Sequence, residues 1–461
     1  MTARGGAART HDSISTIAAI ATAPGRGAIA IVRVSGPLAR DIGARVFRAR
    51  APLRARRATR GTVVDEHGER IDEGLALLFP APQSYTGEDV LELHVHGSPA
   101  IAREVLLALL AAGARLAGPG EFTRRAFYAG KLDLTEAEAV ADLIEAEHRG
   151  AARAAAARLS GGLASAVERL EADLASVLEE LSAALDFPDE VEAPAADALA
   201  ARIDAVDRVL GELALSWERG RIVREGLGVA IVGPPNAGKS SLLNALLGAD
   251  RALVSAVAGT TRDTIEESLA LGGGSVARVI DTAGLRRGRD ELEAAGIARS
   301  ERALADASVV LVVVDGSVPL GPEAHDILAR TRDRERVVYF NKRDLGAAGY
   351  DQRGEPERTA LFGSVREASD VALVRAALEG CAHAERIDVA RPHLGTARQA
   401  DKVLEARRAL AFARQTLASA APVDLIAPDL ATARTALGEL TGRDASEALL
   451  VAIFARFCIG K

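Results

Sequence analysis

Residues 227–248 read LGVAIVGPPNAGKSSLLNALLG. The apolar run Leu227–Val232 leads directly into Gly-x-x-x-x-Gly-Lys-Ser, and Leu242, Leu243 and Leu246 follow at helical spacing. Strand, glycine-rich loop and amphipathic helix in this order make a cradle for phosphates, because backbone amides and a helix N-terminus converge on the anion. Gly233 to Ser240 is therefore the expected phosphate loop, with Asn236, Ala237, Gly238 and Ser241 among the residues around the nucleotide. Lys239 brings a positive charge to the β and γ groups, and Ser240 brings a hydroxyl for Mg²⁺.

Downstream segments supply the remaining parts. VARVIDTAG, 276–284, ends a strand on Asp281, a carboxylate for Mg²⁺ that acts directly or through a bound water. Thr282 and Ala283 follow, then Gly284, whose amide can sense the γ-phosphate. VVYFNKRD, 337–344, ends another strand on Asn341, Lys342 and Asp344. A carboxylate there accepts from guanine N1–H and from the exocyclic amine, which adenine cannot offer, so the pattern selects GTP over ATP. Ser364 with Val365 is either a base-contacting loop or a plain turn. GTTRD, 259–263, lies where a switch loop belongs, with Thr261 the first candidate for a second protein ligand on Mg²⁺ and Thr260 the other. Leu285, directly after the Asp-Thr-Ala-Gly stretch, cannot hydrogen-bond an attacking water, so another group must hold it. Asp290, Glu291 and Glu293 are the acids nearby, and the bare residues do not choose among them or exclude a solvated charge.

A chain of 461 residues is too long for one core and implies two to four domains. With 48% hydrophobic and 26% charged residues it can pack them, which excludes a disordered chain. A net charge of -7 gives no global attraction to nucleic acid, so any RNA contact needs a local basic patch. Only Cys381 and Cys458 are present, which excludes a disulfide scaffold and fits a reducing compartment. No apolar run approaches the ~18 residues of a membrane span, and the opening MTARGGAART lacks an amphipathic pattern, so the expected location is the cytoplasm.

From about Ile14 to Phe122, short β-branched runs and one helical stretch, AIAREVLLALLAAG, indicate an α+β domain. After Lys131 the residues Leu159, Leu163, Val167, Leu170, Leu174, Leu178, Leu181 and Leu185 mark one face of a long helix that DFPDE, 186–190, should stop. A second helical stretch runs to about Arg221, and helical texture returns from about Thr396. Between Gly226 and about Leu378, strand-like and helical runs alternate, the pattern of a mostly parallel sheet. The expected fold class is thus multidomain α/β, with an N-terminal domain at 1–128, a discontinuous helical domain at 129–224 and 384–461, and an inserted Ras-like P-loop G domain at 225–383.

Segments that the general GTPase pattern does not demand, together with AGTTRD in the switch region, carry a resemblance. PGRGAIAIVRVSG, SYTGEDVLELHVHG, GPGEFTRRAFYAGKLDLTEAEAVADLI, LDFPDE, AGTTRD and the terminal FCIGK make the chain similar to the tRNA uridine 5-carboxymethylaminomethyl modification GTPases, the MnmE or TrmE family, over all but about the first ten residues. The resemblance implies a tetrahydrofolate-binding, dimerising N-terminal domain and a homodimer whose G domains pair to hydrolyse GTP with potassium in place of an arginine finger. Asn236 is then the potassium ligand, helped by carbonyls around Ser255, Val257 and Thr260, and Glu293 positions the water. Arg33, Glu92, Lys131 and Lys461 are the implied folate contacts, for 5-formyl- or methylene-tetrahydrofolate. Modification of the wobble uridine of certain tRNAs, jointly with MnmG in a heterotetramer, is the implied function.

Cys458 is either a reactive thiol near the folate or a small residue placing the tail, and Cys381 reads as packing. His94 and His96 share a strand face, a possible metal pair without further ligands or simply strand packing. One departure is HGSP, 96–99, where the family has HGGP. The competing reading, an RNA- or ribosome-assembly switch of the Era type, shares the G-domain motifs but not the N-terminal domain or the tail, and would need a KH-type segment after the G domain.

Overall fold

The structure is a computed structural model that describes residues 15–248, 266–271, 276–280, 307–351, 360–384, 391–419 and 422–460. The chain divides into two compact units, one of residues 1–141, 158–207 and 401–461, the other of 142–157 and 208–400.

In the first unit, β1 (Ile17–Ile20), β2 (Ile29–Ser35), β3 (Phe47–Ala49), β4 (Thr59–Val64), β5 (Arg70–Phe79), β6 (Val90–His96) and β7 (Arg115–Leu116) form a seven-stranded sheet in the order β3-β4-β5-β6-β2-β1-β7. Alternation decides its faces. Ala30, Val32 and Val34 of β2 and Leu91, Leu93 and Val95 of β6 are buried in a core that takes in Ile42 of helix Ala39–Val46 and Val105 and Leu109 of helix Pro99–Ala111. Arg33, Glu92 and His94 are consequently turned to the opposite face, where the antiparallel register sets Arg33 directly across from Glu92.

Helix Gly162–Asp186 buries Leu163, Val167, Leu170, Leu174 and Leu181, as the stripe anticipates. Three positions of the stripe differ: Leu159 lies in the turn before the helix begins, Leu178 is only half-buried beside a buried Val177, and Leu185 is 56% exposed because the helix runs out there into the DFPDE turn. Helix Glu447–Phe454 packs Leu450 and Phe454 with Phe457 against Leu134 and Ala137. The tail that follows continues onto the sheet domain, with an antiparallel bridge from Ile459 to Pro119 and the Gly460 backbone against Ile20 and Ala21, so close that a side chain at 460 would meet the Ile20 carbonyl at 2.3 Å.

In the second unit, β8 (Leu227–Val232), β9 (Glu266–Ala270), β10 (Val276–Ile280), β11 (Val309–Asp315), β12 (Arg336–Asn341) and β13 (Ala360–Phe362) form a six-stranded sheet in the order β13-β12-β11-β8-β10-β9. All pairs are parallel except β9 with β10. Every residue of β8 is buried, because apolar layers cover both faces: Val229 and Ile231 pack with helices Lys239–Gly248 and Ala368–Ala384, and Val232 packs with helix Pro322–Arg330. Strand order reverses at β8, whose parallel neighbours are β10 on one side and β11 on the other, and in open sheets of this kind ligands bind beyond the carboxyl ends of the strands at such a point.

Candidate nucleotide site

The loop after β8 is shaped by what its residues tolerate. Gly233 sits at φ +153° with its α-carbon so close to β11 that an added Cβ would lie 1.9 Å from the Val313 carbonyl oxygen. Asn236 takes a left-handed φ of 60°, which asparagine tolerates better than other side chains. Lys239 folds back over the loop and donates from Nζ to the carbonyls of Gly233 and Pro234, both at 2.7 Å. Burial lowers its pKa from the ordinary lysine value, and the charge of Glu323 only partly offsets this. A half-buried ammonium satisfied by two neutral carbonyls is a ready partner for phosphate oxygens, which would replace them with charge-assisted bonds.

Beside it, the end of β12 supplies a second wall. Asn341 is 1% exposed; its Nδ2 donates to the Ala237 carbonyl at 2.9 Å and its Oδ1 accepts from the Val365 amide at 3.1 Å. One side chain thereby ties the phosphate loop to both loops at the base end. Gly238 leaves it the room, since a Cβ there would stand 2.2 Å from Asn341 Nδ2. Lys342, at φ 67°, holds Asp315 of β11 at 2.6 Å. Burial alone would raise the Asp315 pKa, but Lys342 and the Ser317 amide and hydroxyl outweigh it and hold the carboxyl below its usual range. The Asp344 carboxylate points to the same space and accepts one bond from Arg366 at 3.2 Å. Ser364 is buried, with its amide on Asp370 and its hydroxyl accepting from the Arg366 amide, so these bonds hold the segment in place beside the cavity.

These walls enclose a cavity of about 560 Å³ lined by Asn236, Gly238, Lys239, Ser240, Ser241, Asn341, Lys342, Asp344, Leu345, Ser364, Val365 and Arg366. Ten of these positions were expected from sequence. Ala237 enters by its carbonyl alone, and Leu345, Arg366 and the supporting Asp315 were not foreseen, although Asp315 ends the apolar run VVLVVVD in the way a site residue does. Ser255, Val257, Thr260, Thr261, Asp281, Thr282, Ala283, Gly284 and Glu293, like Lys461, lie outside the described residues.

On the sheet domain, Arg33 Nη2 and Glu92 Oε1 are 2.8 Å apart, and the Arg33 guanidinium lies over the rings of Tyr85 and Phe122 at 5.8 and 5.7 Å. Lys131 is exposed beside the loop that carries Tyr85, with Cε 3.7 Å from where a side chain at Gly87 would begin. Arg33 and Glu92 thus meet as a pair and Lys131 lies against the loop that follows Tyr85; the two rings were the part not foreseen. The histidines have carboxylate partners: His94 Nε2 lies 3.3 Å from Glu92, and His96 Nδ1 lies 2.8 Å from Asp72. No cluster of three metal-ligating side chains occurs among the described residues. Cys458 is exposed, and Cys381 packs half-buried against the core beneath β8, which with Glu335 nearby pushes its thiol up to about 11. The Ser98 departure is harmless to the loop: the tight approach belongs to Gly97, where a Cβ would meet the Gly27 carbonyl at 2.2 Å.

A phosphate loop closed on its own lysine and an Asn-Lys-x-Asp turn bordering the same cavity, on a mostly parallel sheet, define a P-loop nucleotide-binding protein of the GTPase class. The family model described as GTP-binding protein TrmE N-terminus matches residues 16–131, and the one described as MnmE helical domain matches 134–458. The chain belongs to the MnmE family of tRNA modification GTPases. The tRNA modification GTPase MnmE of Symbiobacterium thermophilum is 45% identical over 97% of this chain and 99% of its own length. That of Halorhodospira halophila is 45% identical over 98% and 96%. Among solved structures, the G domain of the T. maritima FeoB iron transporter aligns with 34% of this chain and 98% of its own, at 23% identity and a TM-score of 0.26. Among the described residues no helix is long and apolar enough to cross a membrane.

Proposed function

We propose that this GTP-hydrolysing enzyme of tRNA modification is activated by potassium and takes part, with MnmG, in placing a carboxymethylaminomethyl group on the wobble uridine of certain tRNAs. The observation that carries the nucleotide part is the cavity bordered by Lys239 at one end and Asp344 at the other. Lys239 exchanges the Gly233 and Pro234 carbonyls for phosphate oxygens, and Ser240 offers its hydroxyl to a magnesium ion. Asn236, exposed on the loop, holds a potassium ion, which offsets charge developing between the β and γ phosphates. Glu293 orients the attacking water. GTP turnover drives opening and closing of paired G domains in a homodimer and leaves the chemistry on the uridine to other groups. The family models over 16–131 and 134–458 favour this over an Era-type assembly switch, which would share only the G-domain motifs.

GTP turnover tests the hydrolytic part. Glu293→Ala should keep GTP binding and lose most turnover, and wild-type turnover should fall strongly when sodium replaces potassium. Equal rates in both ions remove Asn236 from its role, and full turnover in the variant assigns the water to another acid.

The region of Arg33 and Glu92 is the proposed tetrahydrofolate site, where a carboxylate suits the amino-pyrimidine edge and basic groups suit the glutamate tail. The folate, when bound, supplies the one-carbon unit. Titration of the full chain with 5-formyl-tetrahydrofolate should show binding weakened about tenfold or more in Arg33→Ala, the loss expected for one charge-assisted bond. Undiminished binding would move the site elsewhere.

A further inference from the structure

Between Arg45 and Arg60 the chain carries seven arginines, Arg45, Arg48, Arg50, Arg54, Arg56, Arg57 and Arg60, and not one Asp or Glu, within a protein whose net charge is -7. All seven are exposed. They occupy the end of helix Ala39–Val46, then β3, the edge strand of the seven-stranded sheet, the loop after it and the start of β4. The loop is held in place: Arg50 N donates to the Arg60 carbonyl at 3.0 Å, Arg56 N to the Leu78 carbonyl at 2.8 Å, and Ala55 bridges Leu78.

Internal neutralisation is slight. Glu73 alone serves Arg50 and Arg60, at 3.3 and 2.7 Å, and also lies 3.9 Å from Arg70. Arg45 and Arg56 bond to neutral partners, the Ala112 carbonyl and Gln83. Arg48, Arg54 and Arg57 make no ion pair among the described residues. The acids on the neighbouring β4–β5 turn are Asp65, Glu66 and Glu69, and Asp65 is occupied by the amides of His67 and Glu69.

Charges on an edge strand guard it against pairing with other chains, but Arg48 and Arg50 suffice for that and the loop arginines are left over. Such a concentration of guanidinium forks suits phosphates. Between 39 and 74 no large hydrophobic residue is exposed; Leu38 and Leu75 at the borders, the latter opposite Arg60, are single leucines and too little apolar surface to hold a bilayer. Phe47, the one aromatic in the stretch, is buried, so there is no platform for stacked bases either. What remains is the backbone of a folded RNA, read by charge and shape.

We propose that the β3–β4 edge, centred on Arg48, Arg54 and Arg57, is the surface on which this protein holds the phosphate backbone of its tRNA. The proposal rests on the tRNA reading above and gives it a place on the chain.

Fluorescence anisotropy of the full chain with a labelled tRNA transcript, over about 50 to 200 mM potassium chloride, tests it. In the R48Q/R54Q/R57Q variant the slope of log affinity against log salt should become shallower by about two to three, at roughly 0.7 to 0.9 for each phosphate no longer neutralised. Basal GTP turnover without RNA should be unchanged. Glu73→Gln, which removes the one acid inside the patch, should tighten binding, a gain that misfolding cannot imitate. Wild-type slope and affinity in both variants overturn the surface. So does displacement of tRNA from the wild type by phosphatidylglycerol vesicles that do not bind the triple variant, which would assign the patch to lipid. Absence of tRNA binding by the wild type at low salt fells the tRNA reading itself.

Discussion

Asp344→Asn should exchange the base preference of the cavity, with GTP affinity falling about a thousandfold and xanthosine triphosphate becoming the better ligand. Asp344 lines the cavity and Arg366 takes a single bond to its Oδ2, which leaves Oδ1 and a second lone pair of Oδ2 to accept from a base. Guanine's N1–H and exocyclic amine would each bond to a charged acceptor, about 1.5–3 kcal/mol apiece; losing the bond to the amine, reducing that to N1–H to a neutral one and setting donor against donor together cost roughly 3–6 kcal/mol, or two to four powers of ten. An amide turns the recognition around: its NH₂ meets the guanine amine as donor to donor, whereas it can donate to the carbonyl that xanthine carries at that position. Titration with fluorescent guanine and xanthine nucleotides decides the matter. Retained guanine preference in the variant would mean that the base lies elsewhere than beside Asp344.

The second large effect concerns a residue that need not touch the nucleotide at all. Asn341→Ala should lower the stability of the G domain by about 2–5 kcal/mol and weaken GTP binding by at least about a hundredfold. Asn341 is fully buried, and truncation leaves the buried Ala237 carbonyl and the half-buried Val365 amide without this partner. Each such group costs about 1–3 kcal/mol. The phosphate loop and the base loop would then be free to drift apart, and one ligand spanning both would lose its preorganised site. Denaturant unfolding combined with nucleotide titration measures the two effects together. A variant that unfolds at the wild-type midpoint would show that the loops are held by something other than this amide.

The second prediction could not have been drawn from the motif alone. Asn341 is legible in the chain as part of a guanine-reading element, yet its hydrogen bonds reach Ala237, 104 positions away, and Val365, 24 positions away. The same holds at Asp315. Its position closing an apolar strand is visible, but its pairing with Lys342 depends on β11 lying next to β12. In the sheet domain, Arg33 and Glu92 stand in separate motifs 59 positions apart, and only the β2–β6 register brings them face to face. The seven arginines are plain in the chain but look like scattered loop charges until β3 is found at the edge of its sheet.

Local order was written in contiguous residues. The passage from Leu227–Val232 through the glycine loop into helix Lys239–Gly248 follows from apolar run, glycine placement and helical spacing, each acting within a few residues and so readable without the rest of the chain. The same is true of helix Gly162–Asp186 and its stop at the DFPDE turn. What tertiary structure alone decided was adjacency: the order β3-β4-β5-β6-β2-β1-β7, the return of the tail to Pro119, and the closing of one cavity by loops from β8, β12 and β13. Adjacency of this kind is set by how buried faces of distant segments fit together, and no window of sequence contains both halves of such a fit.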